Sequence, residues 1–427
     1  MRYRLALSMI QTGDSGRAAE ELRTVLDHEP NSAKAHDALG LALGNQGKWD
    51  EAAEEFKKAI TLDPKLDQGY FNLGYALNTL KRPAAAVFYL RKAVALEPQE
   101  ISYQVALSVA YAENQQFDEA TNLLRKVISS HPQSVEAYLN LGTIYSRRKR
   151  YAEAVETFRS ALRLDPKNPT GLISIGIALM AAGRPADALP QFKEYVLLAP
   201  DDSQGHYWLG RAYRDLGDYE SAREPLERAV ELNPRDSDAC YNLGVVLVRL
   251  GKLKEALPEF ERAAALNPSR GGIHYQLSIV LRHLNEPQRA EEELAKFKAL
   301  EARGQNQVKA AGLQTRGNQL MDAGKPQQAA ATYREALSLD PDNARLHYNL
   351  SLALARLGDQ SGRRRELERT IEIDPNLPQA YYELGLFYMG YGNLDEAKRA
   401  FSAALAIDPE YRNARDALAA LTEKPSE

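Results

Sequence analysis

Apolar and polar positions follow a helical rhythm along this chain, and the rhythm itself repeats. One run sets His36, Leu39, Gly40 and Leu43 three and four apart, and thirty-four residues later Tyr70, Leu73, Gly74 and Leu77 do the same. That spacing puts each set on one face of a helix. A turn such as Gly47-Lys48 follows, and then a second run carries an alanine column: Ala18, Ala52, Ala86, Ala120, Ala154, Ala188, Ala222, Ala256, Ala290, Ala329 and Ala397, broken only by Arg363. Each run predicts a helix of about 13 residues, or about 20 Å.

Proline marks the end of each second run. Pro30, Pro64, Pro98, Pro132, Pro166, Pro200, Pro234 and Pro268 are 34 residues apart; position 302 holds Ala302, and the series resumes at Pro341, Pro375 and Pro409. The gap from 268 to 341 is two periods plus five, so a short insertion lies near Gly304–Gln307. Twelve residues before the alanine column stands a small residue: Gly40, Gly74, Gly142, Gly176, Gly210, Gly244, Gly317 and Gly385, with Ala6, Ser108, Ser278 and Ser351 in the other slots. Small residues on both helices let their axes approach at the near end of the usual ~8–10 Å range. Proline ends the second helix because the residue before it is pushed out of the α region. The prediction is an all-α chain of about twelve stacked helix pairs.

The residues "HDALGLALGNQGKWDEAAEEFKKAITLDP" of the second unit, with Gly40, Ala52, Phe56, Ala59 and Pro64 in signature slots, resemble the tetratricopeptide repeat (TPR). The resemblance runs from residue 1 to about 411. It implies an α-solenoid, antiparallel helix pairs in a right-handed superhelix with the first helix of each pair lining a concave wall. The expected organisation is an array of nine repeats over 1–304, an insertion at 305–309, repeats ten to twelve over 310–411, a capping helix at 412–422 and a tail at 423–427. A break in repeat geometry is expected at the insertion, with the helix around Glu291–Ala302 ending near Gly304. Arg363 is expected to snorkel its stem to the surface from a late-starting helix. Met1 falls two residues inside its repeat, with no polar cap ahead of it, which is how a trimmed array would begin.

Composition narrows the function. With 54 basic and 58 acidic residues the net charge is −4, against a nucleic-acid partner, which calls for a basic excess. The single cysteine excludes a disulfide framework and a multi-cysteine metal site. The longest apolar stretch, Gly171 to Gly183, falls short of the ~20 residues that span a bilayer. No leader is visible, so the expected compartment is the cytoplasm, or the periplasm if a leader lies upstream. No cofactor or metal is expected. Gly13-Asp14-Ser15-Gly16 matches a serine-nucleophile tetrapeptide but sits in a turn, where Gly and Asp belong anyway. His36, His206, His274 and His347, with Cys240, share the fourth slot of their repeats, a row that reads as interhelix packing rather than a metal site.

The family resemblance implies that positions 2, 5, 6, 9, 12 and 13 of each first helix face the groove. Position 5 is aromatic in Phe71, Tyr207, Tyr241, Tyr275, Tyr348 and Tyr382; position 6 is Asn72, Asn140, Asn242 and Asn349, and Trp208 in repeat seven. Amides could pair with the N–H and C=O of an extended peptide, and tyrosine adds flat apolar area with a polar tip. Arg211, Arg214, Arg249, Arg282, Arg345 and Arg356 add positive charge, partly offset by Asp215, Asp238 and Asp322. The expected peptide-binding residues are Phe71, Asn72, Asn140, Tyr207, Trp208, Arg211, Arg214, Tyr241, Asn242, Tyr275, Arg282, Tyr348 and Asn349. The expected function is a non-catalytic scaffold that binds extended segments of a protein or peptide ligand, with no nucleic acid and no membrane insertion. Two alternatives are the targeting array of a larger enzyme such as a glycosyltransferase, and a co-chaperone that clamps a terminal carboxylate. For the clamp, only Asn318 and Asn349 match, and Gln314, Gln379 and Glu383 stand where positive charge is needed.

Overall fold

The computed structural model describes residues 1–422; the expected tail at 423–427 lies outside the described residues. All secondary structure among the described residues is helical, and the chain divides into two compact units. Unit 1 joins Met1–Ser130 to Gly312–Glu427, and unit 2 is His131–Ala311. One boundary, at 311/312, lies beside the insertion expected at 305–309; the other, at 130/131, has no counterpart in that expectation.

In unit 1 the first eight helices are α1 (Arg2–Gln11), α2 (Ser15–His28), α3 (Ala33–Asn45), α4 (Trp49–Leu62), α5 (Asp67–Thr79), α6 (Pro83–Leu96), α7 (Ile101–Glu113) and α8 (Phe117–Ser130). Unit 2 holds α9 (Val135–Arg147), α10 (Tyr151–Leu164), α11 (Pro169–Ala181), α12 (Pro185–Leu198), α13 (Ser203–Asp215), α14 (Tyr219–Leu232), α15 (Ser237–Arg249), α16 (Leu253–Leu266) and α17 (Gly271–His283). The long α18 (Pro287–Asp322) crosses the unit boundary. Unit 1 resumes with α19 (Pro326–Leu339), α20 (Ala344–Arg356), α21 (Gln360–Ile373), α22 (Pro378–Gly390), α23 (Leu394–Ile407) and α24 (Arg412–Thr422). The two segments of unit 1 meet where α6 touches α23, with Arg91 paired to Glu410 at 3.2 Å.

Each repeat is built the same way. The residue before proline leaves the helical region, as at Asp63 (φ −131°, ψ 93°) ahead of Pro64. Several first helices open on side-chain caps, for example Ser134, Asn168 and Asp236, whose oxygens accept backbone N–H groups of the first turn. The turn inside each pair needs one left-handed residue. Glycine supplies it in eight repeats, and Lys81, Gln115, Lys149 and Asn285 adopt positive φ in the other four. Asp14-Ser15 belongs to such a turn: Asp14 caps α2, and Ser15 is its first, buried residue.

Close packing explains the small column. An ideal Cβ on Gly40, Gly142 or Gly385 would stand 2.5 Å from the ring of Phe56, Phe158 or Phe401 sixteen residues on. Those rings are almost completely buried. The same position holds Leu22, Leu124, Leu294 and Leu367 in the repeats whose small residue is Ala6, Ser108, Ser278 and Ser351. Gly74 and Gly210 pack on Leu90 and Leu226, so a ring at this position always faces glycine, whereas leucine faces glycine, alanine or serine. Ser108, Ser278 and Ser351 satisfy their hydroxyls on carbonyls three residues back.

Without proline at 302 the second helix of repeat nine does not end near Gly304. It continues through 305–309 into the first helix of repeat ten, forming one helix of 36 residues, about 54 Å long. The insertion is thus a stretch of helix, with no proline to interrupt it and Gly304 and Asn306 absorbed within it. Arg363 also differs from expectation. Helix α21 starts in normal register on Asp359, and the guanidinium turns inward to Glu383, with its carboxylate at 2.8 Å and its carbonyl at 3.1 Å.

The fourth-slot histidines are staples. Nδ1–H of His36 donates to Glu55 (2.6 Å) and Nε2–H to the Pro30 carbonyl (3.0 Å). His274 does the same with Glu293 (2.5 Å) and Pro268 (3.0 Å), and His347 with Glu366 (2.6 Å) and Pro341 (2.9 Å). Both ring nitrogens face acceptors, so the staple needs a proton on each. Burial alone would lower the pKa of His347; the hydrogen bonds to Glu366 and Pro341 and the Glu366 charge outweigh burial and the nearby Arg369, leaving it above 6.5. A raised folded value stabilises fully below the unfolded pKa, and that contribution is lost as pH climbs through the folded one. The Tm gap between the parent and His347→Gln is therefore expected to be widest below about pH 6.5 and to shrink on the alkaline side. A gap that stays constant from about pH 6 to about pH 9 would contradict this.

Candidate functional site on the first-helix wall

Within each unit the first helices of neighbouring repeats touch directly, α3 with α5 and α5 with α7 in unit 1, α11 with α13 and α13 with α15 in unit 2. The second helices of neighbouring repeats stand further apart, so the first helices form the inner side of each stack. The expected binding residues lie along this wall but are divided between the units: Phe71, Asn72, Tyr348 and Asn349 in unit 1, Asn140 and the 207–282 group in unit 2.

In unit 2 the wall carries an aromatic and arginine cluster. Trp208 is half-buried, with its ring stacked on Phe192 of α12 at 6.1 Å and edge-on to Tyr207 at 5.2 Å. The Arg211 guanidinium covers the indole at 4.9 Å and donates to the Tyr207 hydroxyl at 3.4 Å, while its buried Nε makes no hydrogen bond and faces the Asp215 carboxylate at 3.8 Å. Burial pushes the Tyr207 hydroxyl above its ordinary pKa, against the pull of Arg211. One repeat on, Arg270 lies over Tyr241 at 4.3 Å and pairs with Asp238. Arg214 bonds both Asp215 and Asn242. The arginine charge is therefore largely offset at Arg214 and Arg270, while Arg282 is exposed on α17. Tyr275 is also exposed, with one face against Phe297 at 5.2 Å.

The amide row departs from expectation. Asn72 is buried; it donates to Asp37 at 2.9 Å and accepts from Gln68 at 3.1 Å. Asn242, also buried, donates to the Asp238 carbonyl and accepts from Arg214. Both amides are thus buried and engaged on donor and acceptor sides within the chain, away from a peptide backbone. Asn140 and Asn349 spend their N–H groups on the Glu136 carbonyl and on Asn318, both at 3.0 Å. Asp37, Arg214 and Asn318 reach these amides from the adjacent first helix, and Gln68, Glu136 and Asp238 from one turn back on the same helix. Phe71 likewise stacks on Tyr103 at 4.8 Å, and the Tyr103 hydroxyl donates to Asp67 at 2.7 Å. Burial lifts the Asp37 carboxyl to about 6; the Asn72 bond restrains the rise and the Asp67 charge adds to it. Tyr348 is pushed up to about 12 by burial and by Glu383.

Models of the tetratricopeptide repeat match residues 1–32, 45–80, 67–100, 105–169, 173–237, 237–270, 317–358 and 378–411. The chain belongs to the tetratricopeptide repeat family. Among curated proteins no sequence matches. Solved structures are similar to this chain as well, at low identity. MamA from Desulfovibrio magneticus RS-1 is 24% identical over 40% of this chain and 97% of its own, with a TM-score of 0.38. A TPR protein from Parabacteroides merdae is 16% identical over 58% and 98%, with a TM-score of 0.46. The APC/C hetero-tetramer Cut9-Hcn1 is 17% identical over 99% and 90%, with a TM-score of 0.35.

This TPR array is a protein-interaction scaffold. Among the described residues no helix is long and apolar enough to cross a membrane. The two asparagines that match a carboxylate clamp bond each other, and the Tyr333 hydroxyl donates to Asn318 as well at 2.7 Å. Sequence reasoning missed Phe192 and Arg270, which shape the cluster from outside the counted positions. Phe192 stands on a second helix, and Arg270 precedes α17 as its N-cap. Periodicity within first helices cannot reach either residue.

Proposed function

We propose that the first-helix wall of repeats seven and eight binds an extended segment of a partner protein carrying acidic and aromatic side chains. The observation that carries this reading is the half-buried Trp208, held between Phe192 and Arg211. Tryptophan and arginine in such a preformed setting are the residue types that dominate binding energy at interfaces. The Arg211 fork suits a carboxylate, and Tyr207 and Tyr241 offer flat apolar faces beside it. Because Asn72 and Asn242 are occupied, recognition falls to side chains rather than to an amide ladder.

The test is an array of immobilised peptides bearing acidic and aromatic residues, probed with the whole chain and with Trp208→Ala/Arg211→Ala. Loss of a hot-spot pair should weaken the selected peptides by about 30-fold or more. Unchanged affinity would remove the site.

A further inference from the structure

Repeat seven has half of a staple. His206 keeps the bond from Nε2–H to the proline carbonyl, Pro200 at 2.8 Å, as in repeats two, nine and eleven. The residue nineteen positions on, a glutamate in those three repeats, is Pro225 here. Repeat eight has the converse half: Cys240 replaces the histidine and Glu259 remains, its buried Oε2 without a hydrogen bond and facing Arg262 at 3.6 Å. Repeat eight thus keeps the carboxylate without its histidine, as repeat seven keeps the histidine without its carboxylate. A cavity of ≈ 790 Å³ opens beside His206, whereas the corresponding cavity beside His274, where Glu293 is seated, measures ≈ 460 Å³.

We propose that this cavity is a binding seat for a carboxylate borne by a ligand that also carries an ammonium or guanidinium group. The carboxylate takes the place on His206 Nδ1 that glutamate fills in the sister repeats. The cation is required by the charge of the walls. Arg228 is engaged by Asp201 (3.1 Å) and Glu231 (3.2 Å), and Glu227 by Arg223 (2.6 Å). Glu224 remains exposed on the lining. A simple anion would meet net negative charge there, and a positive group against Glu224 removes the penalty. Val196, Leu209 and Pro225 give an apolar floor for the aliphatic stem of lysine or arginine. Basic residues with a free carboxylate fit, whether as free amino acids or as the last residue of a chain. The seat uses none of Trp208, Arg211 or Tyr241, so it stands or falls separately from the wall site.

The experiment follows the His206 ring resonances of the whole chain, assigned with His206→Gln. The probes are free lysine, an acetylated tripeptide ending in lysine, and the same peptide amidated. A shift with the free acids, with the amide at least about tenfold weaker, supports the seat. Free lysine matching the tripeptide identifies a metabolite source; a response to the tripeptide alone identifies a chain end. Pro225→Glu should fill the seat from within and abolish the response, and Glu224→Gln should weaken it. No response to any probe at millimolar concentration, equal response to acid and amide, or full response in Pro225→Glu would each overturn the proposal.

Discussion

Replacing Glu383 by alanine is expected to destabilise repeats eleven and twelve by about 3–5 kcal/mol, the cost of leaving a buried charge without its partner. Arg363 and Glu383 keep only 13% and 18% of their side-chain exposure. The guanidinium is held by the Glu383 carboxylate and carbonyl, and its Nε already lacks a partner. Once the carboxylate is gone, the arginine has no second acid in place. Removing both charges is a different matter. Arg363→Ala with Glu383→Asn restores the residues that sister repeats hold at these two positions, such as Ala329 and Asn349. Such replacements are often neutral or stabilising, so the double variant should unfold within about 1 kcal/mol of the parent or above it. Urea unfolding gives the totals, and hydrogen exchange over α21 and α22 localises them. Equal losses in the single and double variants would show that the ion pair is not the cause.

The second large effect is expected at Phe192→Ala, about 3–5 kcal/mol for deleting a fully buried ring. Phe192 closes against Gly176, where an added Cβ would penetrate the ring, and it forms the floor under Trp208. The variant should therefore redden Trp208 emission, read in a Trp49→Phe background, and weaken any peptide held by the wall. The repeats themselves supply the rescue. Gly176→Ser against the intact ring should cost about 1–3 kcal/mol by overpacking. Combined with Phe192→Leu it recreates the Ser108 and Leu124 combination of repeat four and should recover most of that loss. A double variant no better than the sum of its parts would refute size matching.

Much of this was legible in the residues. The 34-residue step, the proline stops, the small column and the alanine column are local and repeated, so each of many copies testifies to the same geometry. Candidate wall positions were legible as positions, but not in their use. Asn72 and Asn242 look like free amides until the next helix brings up Asp37 and Arg214. Arg363 looks like a misfit until Glu383, twenty residues on, is seen beside it. His206 looks like its three sisters until Pro225 is set against Glu55, Glu293 and Glu366.

The amino-acid order alone determined the hairpin, its repeat and the family, because helix faces, breakers and close-packed small residues act over a few turns of one chain. Only the tertiary structure decided which polar groups are spent between helices and which remain open, because that depends on what burial brings within 3 Å of them. It also decided the unit boundaries and the fate of the insertion. Five residues without a breaker between two helical runs extend the helix, and Arg91 and Glu410, 319 positions apart, meet only once the chain has folded.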